Sequence, residues 1–482
     1  MTSVARRSGP AGQAGSAAYP GTRPAGRPAA AARPDQARRP QPAPPGRRPA
    51  RVGERGALAV IIAGAVVVLG LWWQSTPGVH GLGGWLTSAG EILGLLCGYG
   101  VVVLVALMAR LPPLERGLGT DKLARWHAMG GRYVVSLVVA HGLLIVWGYA
   151  ATAHVNVISE GATLLTQYPD VLMATVAGFL LLGVGIVSMR AARRRLRYET
   201  WYFLHFYTYL AIALAFSHQL ADGAAFVSNL AARFWWSAMY LTVLVLVLWY
   251  RVAVPLRSYR RHRFEILGVK EETPGVISVY IGGQRLDELD AEPGQFFRWR
   301  FLTRSLWWSS HPYSLSAAPG ADMMRITVKN LGDHSQALAR LRPGTRVFAE
   351  GPYGAFTPGD SDRGVLLLAG GVGITPLRAI FATLPGHVTL VYRVSSEQDI
   401  VFRDELDAIA AARGATVHYL TGSRAEIGGD PLSPRVLRSL VPGLDELDAY
   451  VCGPSGMTSA AVRALRAAGV PRQRIHFESF EF

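Results

Sequence analysis

RWHAMGGRYVVSLVVAHGLLIVWGYA, residues 125–150, is an apolar stretch of the length that crosses a lipid bilayer, and it contains two histidines. They are His127 and His141, fourteen positions apart. An imidazole inside the hydrocarbon layer costs free energy unless it finds a partner there. These two residues therefore pose the first functional question, because each of them needs something to bind.

The apolar stretch is one of six, and each has roughly the twenty residues that span a bilayer. Arginine and lysine concentrate in alternate connections between these stretches. The other connections contain one arginine, Arg233, and no lysine. Basic residues mark the cytoplasmic side, so the pattern predicts a multi-pass protein of the cell membrane with both termini in the cytoplasm. The six stretches are 57–73, 90–109, 127–150, 170–189, 201–220 and 234–254.

The fifth stretch, residues 201–220, repeats the unusual feature of the third with His205 and His218. Both stretches run outward in the predicted topology, so His127 and His205 lie near the cytoplasmic face. His141 and His218 then lie nearer the outer face, roughly 20 Å away at about 1.5 Å per helical residue. Two imidazole pairs at two depths suit the ligation of two haem irons stacked across the membrane.

The two spacings differ by one residue, and this affects the predicted geometry. A step of fourteen residues returns close to the same face of a helix, whereas a step of thirteen misses it by about 140°. Either the fifth helix is distorted, or its two haems approach from different sides, and the sequence leaves both open. The histidines at 80, 154 and 262 lie in loops or a basic flank and are expected to face solvent.

Charge and cysteine content exclude several classes of protein. The net charge is +16, but residues 1–55 alone hold eleven arginines against two acidic residues, a balance of +9. This Pro-, Gly- and Ala-rich tail is expected to be disordered, and most other cations flank apolar stretches, so no nucleic-acid partner is expected. Two distant cysteines, Cys97 and Cys452, cannot form a disulfide framework or hold an iron–sulfur cluster.

The pattern changes after residue 262. Short alternating stretches separated by Gly, Pro and Asp predict an antiparallel β-barrel, and from residue 364 apolar strands alternate with helices, which predicts a parallel α/β sheet. The predicted fold class is a six-helix membrane bundle followed by these two domains. The expected boundaries are 1–55 for the tail, 56–256 for the bundle, 257–360 for the barrel and 361–482 for the α/β domain.

The membrane half resembles the ferric reductase and NADPH oxidase family over about residues 57–254. The resemblance lies in the H-x13-H spacing on the third of six spans and the H-x12-H spacing on the fifth. It implies two haem b groups, an inner one held by His127 and His205 and an outer one held by His141 and His218.

The cytoplasmic half resembles the ferredoxin–NADP reductase superfamily over about residues 262–482. HPYS at 311–314 is similar to its first flavin motif, and KNLGDHS at 329–335 takes the place of its second, which implies FAD as a cofactor. LLLAGGVGITP at 366–376 has the glycines that let backbone approach phosphate, with Thr375 expected to cap the following helix. The implied FAD and nucleotide contacts are His311, Pro312, Tyr313, Ser314, Lys329, Gly332, His334, Ser335, Gly370, Gly371, Gly373, Thr375, Pro376, Gly453 and Pro454.

Two further motifs concern the nicotinamide nucleotide. In the superfamily the cysteine of CGP lies near the reactive carbon of nicotinamide, which indicates Cys452. Ser423 and Arg424 of TGSR stand where 2′-phosphate contacts occur, and Arg393 is placed to assist, so NADPH is preferred over NADH. Phe480 is expected to cover the flavin, although Phe482 is an alternative because the chain continues beyond the usual end.

The order of these parts implies a direction of electron flow. A hydride from NADPH reaches FAD in the cytoplasm, and single electrons then cross the two haems to an acceptor outside. Reduction of ferric chelates is the leading expectation, and production of superoxide or peroxide from oxygen is the alternative. A non-catalytic haem subunit or sensor is a remote third. The expected partners are the bilayer and a small outer acceptor, with no obligate protein partner inferable.

Overall fold

The computed structural model describes residues 52–76, 78–193, 195–196, 198–227, 229–359, 363–422 and 429–480. Nearly all of the tail expected to be disordered lies outside these ranges. The helices of the membrane half are α1 (Glu54–Ser75), α2 (Gly81–Leu107), α3 (Pro112–Leu118), α4 (Thr120–Ala153), α5 (Val157–Gln167), α6 (Pro169–Ser188), α7 (Arg190–Arg193), α8 (Tyr198–Asp222), α9 (Ala224–Val227), α10 (Leu230–Leu248) and α11 (Val254–His262).

Five helical segments of the described residues are long and apolar enough to cross a membrane. They coincide with five of the six predicted spans, and four of them are longer than the apolar core that identified them; the exception is Asp170–Ser188, with 19 residues. The sixth, α8, has 25 residues and is long enough to span, but His205, His218 and several tyrosines lower its apolar character. The connection before α6 also contains a helix, α5, where only a loop was expected.

Helices α2 and α4 pack closely because glycines remove side chains from their contact. A Cβ built on Gly83 would lie 2.2 Å from the hydroxyl of Thr152, and one on Gly90 would lie 2.9 Å from the Ile145 side chain. A Cβ on Gly94 would come within 2.7 Å of the His141 ring. Small residues at such positions let membrane helices approach, and here they bring the α2 backbone against the histidine-bearing helix.

A polar network holds α8 to α10 and α2 inside the bundle. The Gln219 side-chain oxygen accepts hydrogen bonds from the Trp236 indole at 2.7 Å and from the Tyr240 hydroxyl at 3.2 Å. Tyr240 also lies 3.1 Å from the carbonyl of Gly98 in α2. Trp236 is fully buried, so the amide that satisfies its N–H also fixes the turn of α8 that carries His218.

One long helical segment, Leu230–His262, leads from the bundle to the barrel that follows it. It changes to a π-helix at Trp249–Ala253, immediately before Pro255. Proline lacks an N–H and displaces the preceding turn, which accounts for the altered hydrogen bonding there. The Arg251 guanidinium donates to the Met108 carbonyl at 3.0 Å and ties this irregular turn to the end of α2.

The prediction that His262 faces solvent is wrong. It is 5% exposed, and its Nδ1 lies 3.0 Å from the carbonyl of Gln284. Its ring also lies 5.6 Å from the ring of fully buried Phe264. A basic sequence context suggested exposure, but the residue ends the helix where it meets the barrel and is covered by that contact.

The barrel consists of two three-stranded antiparallel sheets. Their orders are β1-β2-β5 and β4-β3-β6, and isolated bridges join them at both edges, Glu265 to Arg346 and Leu315 to Ile326. The strands therefore follow one another around a ring, linked by single bridges at the two joins instead of one continuous ladder. The strands are β1 (Glu265–Thr273), β2 (Val276–Gly282), β3 (Phe296–Phe301), β4 (His311–Ser314), β5 (Met323–Lys329) and β6 (Val347–Tyr353), with α12 (Asp333–Leu338) after β5.

The last domain has the predicted parallel α/β sheet, in the order β11-β10-β7-β8-β9. Its central strand β7 is buried along its whole length, as expected of a strand covered on both faces. The strands are β7 (Val365–Gly370), β8 (Val388–Arg393), β9 (Thr416–Leu420), β10 (Asp448–Pro454) and β11 (Ile475–Phe480), and the helices are α13 (Ile374–Phe381), α14 (Arg403–Arg413), α15 (Pro434–Leu440) and α16 (Ser455–Ala467).

A paired carboxylate fastens the barrel to the α/β domain. Glu405 in α14 accepts two hydrogen bonds from Arg325 of β5, at 2.7 and 2.9 Å, and lies 2.8 Å from Arg378 of α13. Arg325 is 4% exposed and also stacks over the Phe402 ring. Burial by itself would raise the pKa of Glu405, but the two guanidiniums outweigh it and lower that pKa.

We expect Glu405→Gln to destabilise the protein by about 2 kcal/mol, because it leaves two guanidiniums without their counter-charge. The loss is smaller than for a fully buried pair, since the Glu405 side chain is 32% exposed. Thermal unfolding of the purified protein checks this. Glu397→Gln is the control, because its pair with Arg403 is exposed. Equal unfolding temperatures for the two variants would contradict the prediction.

Candidate functional site

The histidines of α4 are held by backbone carbonyls of α2. His127 Nδ1 lies 3.1 Å from the carbonyl oxygen of Leu104, and His141 Nδ1 lies 2.8 Å from that of Gly90. A carbonyl oxygen only accepts, so each Nδ1 carries the proton and each Nε2 keeps its lone pair. This is the tautomer that a metal ligand requires, with the second nitrogen oriented by a backbone partner.

His205 of α8 lies opposite His127 of α4. The rings of His127 and His205 have centroids 6.0 Å apart. Two imidazole nitrogens each about 2 Å from a shared metal ion place the ring centroids roughly 6 Å apart, so this pair fits an iron between them. The Nδ1 of His218 donates to Asp222 at 3.1 Å, the carboxylate–histidine arrangement common behind metal ligands.

Space for a planar group is present beside these histidines. A Cβ on Gly131 or on Gly142, both in α4, would meet no atom within 4 Å. Gly131 follows His127 by one helical turn and Gly142 follows His141 directly. The Nδ1 of His205 is buried without a hydrogen-bond partner among the described residues. The pair of His127 and His205, with the open position at Gly131, thus fits bis-imidazole haem at the inner depth. At the outer depth His141 and His218 each have Nδ1 bound to an oxygen, which leaves Nε2 as the nitrogen that a metal would take.

Helix α8 is α-helical at every described residue from Tyr198 to Asp222 and includes no π or 3-10 turn. The distortion that would have put His205 and His218 on one face is therefore absent from its secondary structure. On a regular helix a thirteen-residue step leaves the two imidazoles pointing in directions that differ by about 140°. Of the two alternatives left open by the sequence, approach from different sides agrees with this helix.

The first flavin motif forms β4, from His311 to Ser314. The His311 ring packs on the ring of His334, with centroids 3.6 Å apart, and lies stacked with Tyr313 at 6.3 Å. Burial and the nearby His311 lower the pKa of His334 to about 4, so its ring is neutral at pH 7. Burial raises the pKa of the Tyr313 phenol, which stays a hydrogen-bond donor. Pro312 and Ser314 complete the strand.

Sequence reasoning did not include Arg298 among the candidate ligands. It lies on β3 directly across from Pro312, and its Nη2 donates to Ser310 at 3.0 Å. Its Nε is buried and has no hydrogen-bond partner among the described residues. The alternation in QFFRWRF turns Phe297 and Trp299 into the barrel core and Arg298 away from it. That alternation was a usable signal, and the free N–H fits a flavin phosphate.

In the second flavin motif, a side chain accepts hydrogen bonds from backbone N–H groups of the same turn. Ser335 Oγ accepts hydrogen bonds from the backbone N–H groups of Leu331 at 2.8 Å and Gly332 at 3.1 Å. Those two N–H groups are therefore bonded within the turn and are not available to a flavin phosphate. Lys329, at the end of β5, lines the cleft beside the α/β domain instead.

The glycine turn after β7 brings three backbone segments together. A Cβ on Gly373 would lie 2.2 Å from the carbonyl oxygen of Cys452, and one on Gly370 would lie 2.0 Å from the sulfur of Met457. Gly371 has φ +53° and meets no atom within 4 Å, as expected for a residue that faces the cleft. Only glycine leaves room for backbone to come this close at Gly370 and Gly373. Glycines that allow close approach of backbone were predicted for this turn.

The expectation that Thr375 caps the helix is wrong. The residue at the N-cap of α13 is Gly373, and the Thr375 hydroxyl donates to the carbonyl of Val372 at 2.9 Å from inside the helix. Thr375 and Pro376 are both buried, so they pack the helix start against the sheet. The backbone of the first turn remains the part of α13 that approaches the cleft.

Cys452 lies on β10 at the end that faces this turn. Burial raises the pKa of its thiol well above the usual value, and the neighbouring Glu478 adds to the effect, so sulfur stays protonated. Glu478, directly across on β11, was not predicted. Its pKa is raised to about 8 by burial and by the charge of Asp121, from the first turn of α4. The one signal in the sequence for Glu478 was its position as an acidic residue within an apolar strand segment.

Phe480 lies across from Pro454 in the β10–β11 register and packs against the core that contains Cys452. A Cβ built on Gly453 would lie 3.2 Å from the Gly370 backbone. The predicted aromatic, the CGP motif and the glycine turn thus share one edge of the sheet. Phe482, the alternative aromatic, lies outside the described residues.

A cleft of about 350 Å³ opens along this edge and is bordered by Gly370, Gly371, Pro454 and Lys329. Arg393 also borders it, but its guanidinium donates to the carbonyls of Val394, Leu420 and Gly422. Arg393 is therefore committed to backbone and supports the strand ends. The other two predicted phosphate contacts, Ser423 and Arg424, lie outside the described residues.

Three family models match the chain, one on each structural part. Residues 93–216 match the ferric reductase like transmembrane component, residues 263–357 an FAD-binding domain, and residues 367–463 an oxidoreductase NAD-binding domain. The chain belongs to the ferric reductase and NADPH oxidase type of fusion protein. This ferric reductase-type protein combines FAD- and NAD-binding domains with a transmembrane component.

Similar proteins share the cytoplasmic half. The ferredoxin reductase component of 3-ketosteroid-9-alpha-monooxygenase from Mycolicibacterium smegmatis is 34% identical over 206 residues, which cover 40% of this chain and 57% of that protein. Ferredoxin–NADP reductase B from Sorangium cellulosum is 32% identical, over 35% of this chain and 77% of that protein. This ferric reductase-type chain spans little more than half the length of the first curated relatives that it matches.

Among solved structures, the flavohem-like FAD/NAD binding domain of nitric oxide dioxygenase from Vibrio cholerae O1 biovar El Tor is 26% identical, with a TM-score of 0.39. It covers 46% of this ferric reductase-type chain and 99% of that structure.

We expect Gly373→Ala to weaken NADPH binding and to lower the unfolding temperature. The new methyl group would contact the Cys452 carbonyl, and overpacking of this kind costs about 1–3 kcal/mol. Titration with NADPH and thermal unfolding measure the two effects. Gly456→Ala, an exposed position in α16 with no atom within 4 Å, is the matched control and should change neither. Unchanged NADPH affinity and stability in Gly373→Ala would refute the proposed close approach.

Proposed function

We propose that this protein carries electrons from cytoplasmic NADPH through FAD and two haem b groups to an acceptor outside the cell membrane. The observation that carries the proposal is the geometry of His127 and His205, whose ring centroids lie 6.0 Å apart with the Nδ1 of His127 bound to backbone. The match to the ferric reductase like transmembrane component supports haem at these residues. The predicted topology supports a cytoplasmic flavin half.

When bound, FAD and haem supply the redox chemistry, because a flavin accepts the electron pair of a hydride and can release electrons singly, whereas haem iron takes one at a time. The protein's own residues bind and orient these groups. The turn containing Gly370 and Gly373 would admit the nucleotide to the cleft, and Cys452, a fully buried neutral thiol, would lie behind the CGP end of β10 nearest the nicotinamide. His127 and His205 are the inner haem ligands, and His141 and His218 are the outer ones.

Direct contacts join the flavin half to the inner end of the bundle. The Arg110 guanidinium, after α2, lies 4.6 Å over the Tyr353 ring at the end of β6. Arg110 also donates to Glu115 at 3.0 Å, and Glu115 accepts from Thr120 at the start of α4. These contacts hold the barrel against the helix that carries His127. A short distance between flavin and inner haem would follow from such docking.

The leading acceptor is a ferric chelate, with oxygen as the alternative. The test uses the purified protein loaded with FAD and haem and follows NADPH oxidation with a ferric chelate under nitrogen, then with oxygen alone. We expect faster turnover with the chelate. Faster turnover with oxygen, with superoxide or peroxide as product, would favour the alternative. No turnover with either acceptor would refute the proposed dehydrogenase function and leave a haem subunit or sensor.

The histidine assignment has its own test. We expect His141→Ala to remove the absorption signal of the outer haem, because His218 alone would not hold it, while NADPH still reduces the flavin. Absorption spectra of the oxidised and reduced protein measure both effects. His154→Ala, in an exposed outer turn, is the control and should retain both haem signals. Loss of flavin reduction together with the haem signal would contradict the assignment.

A further inference from the structure

A second cavity lies in the membrane half, at the opposite end from the flavin domain. It has a volume of about 340 Å³ and opens where the end of α1, the start of α2 and the end of α4 meet. Hydroxyl groups dominate its polar lining and include Thr87 and Ser88 of α2 and Tyr149 and Thr152 of α4. Small-molecule sites begin at about 300 Å³, so this cavity has room for a small acceptor with its ligand shell.

Glu91 is the one charged residue among the described residues that line this cavity, and none of them is basic. The outer segments around the cavity also carry more negative than positive side chains. Residues 74–91, 149–170 and 220–233 contain four carboxylates, at positions 91, 160, 170 and 222, against the single cation Arg233. A cleft lined by one sign of charge concentrates ions of the opposite sign. The field at this cavity therefore attracts cations and repels anions.

The cavity adjoins the residue that anchors the outer histidine. Gly90, whose carbonyl oxygen lies 2.8 Å from His141 Nδ1, directly precedes Glu91 in α2. A Cβ on Gly148 would lie 2.4 Å from the Thr87 hydroxyl, so α2 and α4 are in contact at the cavity wall. One turn of α2 thus supports His141 and also presents a carboxylate to the cavity. A molecule in the cavity would be separated from the His141 site by little more than this turn.

We propose that this cavity binds the terminal electron acceptor, and that Glu91 makes it selective for cationic metal complexes over anionic ones. This inference rests on the proposed function and narrows its acceptor class, because an anionic ferric chelate would meet a like charge here. Each transfer gives one electron to a trivalent complex, which leaves as the divalent complex. Two such transfers consume the two electrons of one NADPH, which becomes NADP⁺ and releases one proton.

The test compares two membrane-impermeant acceptors of opposite charge, hexaammineruthenium(III), a cation, and ferric EDTA, an anion. Steady-state NADPH oxidation is followed under nitrogen with the full-length protein loaded with FAD and haem. We expect Glu91→Gln to lower kcat/KM for the cation by roughly tenfold, the scale on which one-signed clefts change association, and to leave the anion unchanged or faster. Glu91→Asp keeps the charge and should retain the preference.

Asp170→Asn is the matched control, because it removes a carboxylate from the same side at a position outside the cavity. It should change the two acceptors far less than Glu91→Gln. Haem spectra and flavin reduction by NADPH must be unaltered in every variant that is compared. Equal effects of Glu91→Gln on both acceptors, or no effect on either, would overturn the inference and leave the proposed function intact. Failure of both acceptors with the unaltered, fully loaded protein would overturn the proposed function, and the inference with it.

Discussion

The hydrogen bonds from His127 and His141 to carbonyls of α2 constrain the whole membrane half. A helical carbonyl is normally occupied by its own N–H four residues on, so a side chain can reach it only if the helices lie very close. Glycines at 90 and 94 permit that approach, and larger residues there would push α4 away. The same bonds fix which imidazole nitrogen stays free. Packing of α2 against α4 thus sets both helix register and ligand chemistry.

The cytoplasmic half is organised around one sheet edge. The glycine turn after β7, the CGP end of β10 and the end of β11 meet there because parallel strands present their carboxyl ends at one side. The start of α4 lies against the barrel, because a Cβ built on Gly119, directly before α4, would lie 3.6 Å from the Ala355 side chain after β6. The helix that carries His127 and His141 therefore begins where the membrane half meets the barrel.

Sequence reasoning was most successful where a pattern has a single physical meaning. The spacing of apolar stretches gave the spans, and alternation of strands and helices gave the parallel sheet. It failed where the partners of a side chain are known only from the folded structure. His262 is buried by the barrel, the Ser335 hydroxyl occupies backbone donors of its own turn, Arg393 is committed to three carbonyls, and Gly373 replaces Thr375 at the N-cap. Glu478 and Arg298 were missed because a lone charge in a strand has no spacing to distinguish it.

The sequence by itself determined the division into membrane and cytoplasmic parts and the four histidines on two spans, because hydrophobicity and helical rise are local properties of the chain. Only the tertiary structure decided which nitrogen each histidine presents and that α8 keeps a regular helix through its thirteen-residue step. It also decided which glycines face open space and which separate closely packed backbones, and that Glu91 lines an outer cavity without a basic residue among its described neighbours. Those features depend on contacts between residues far apart in the chain, and such contacts follow from packing.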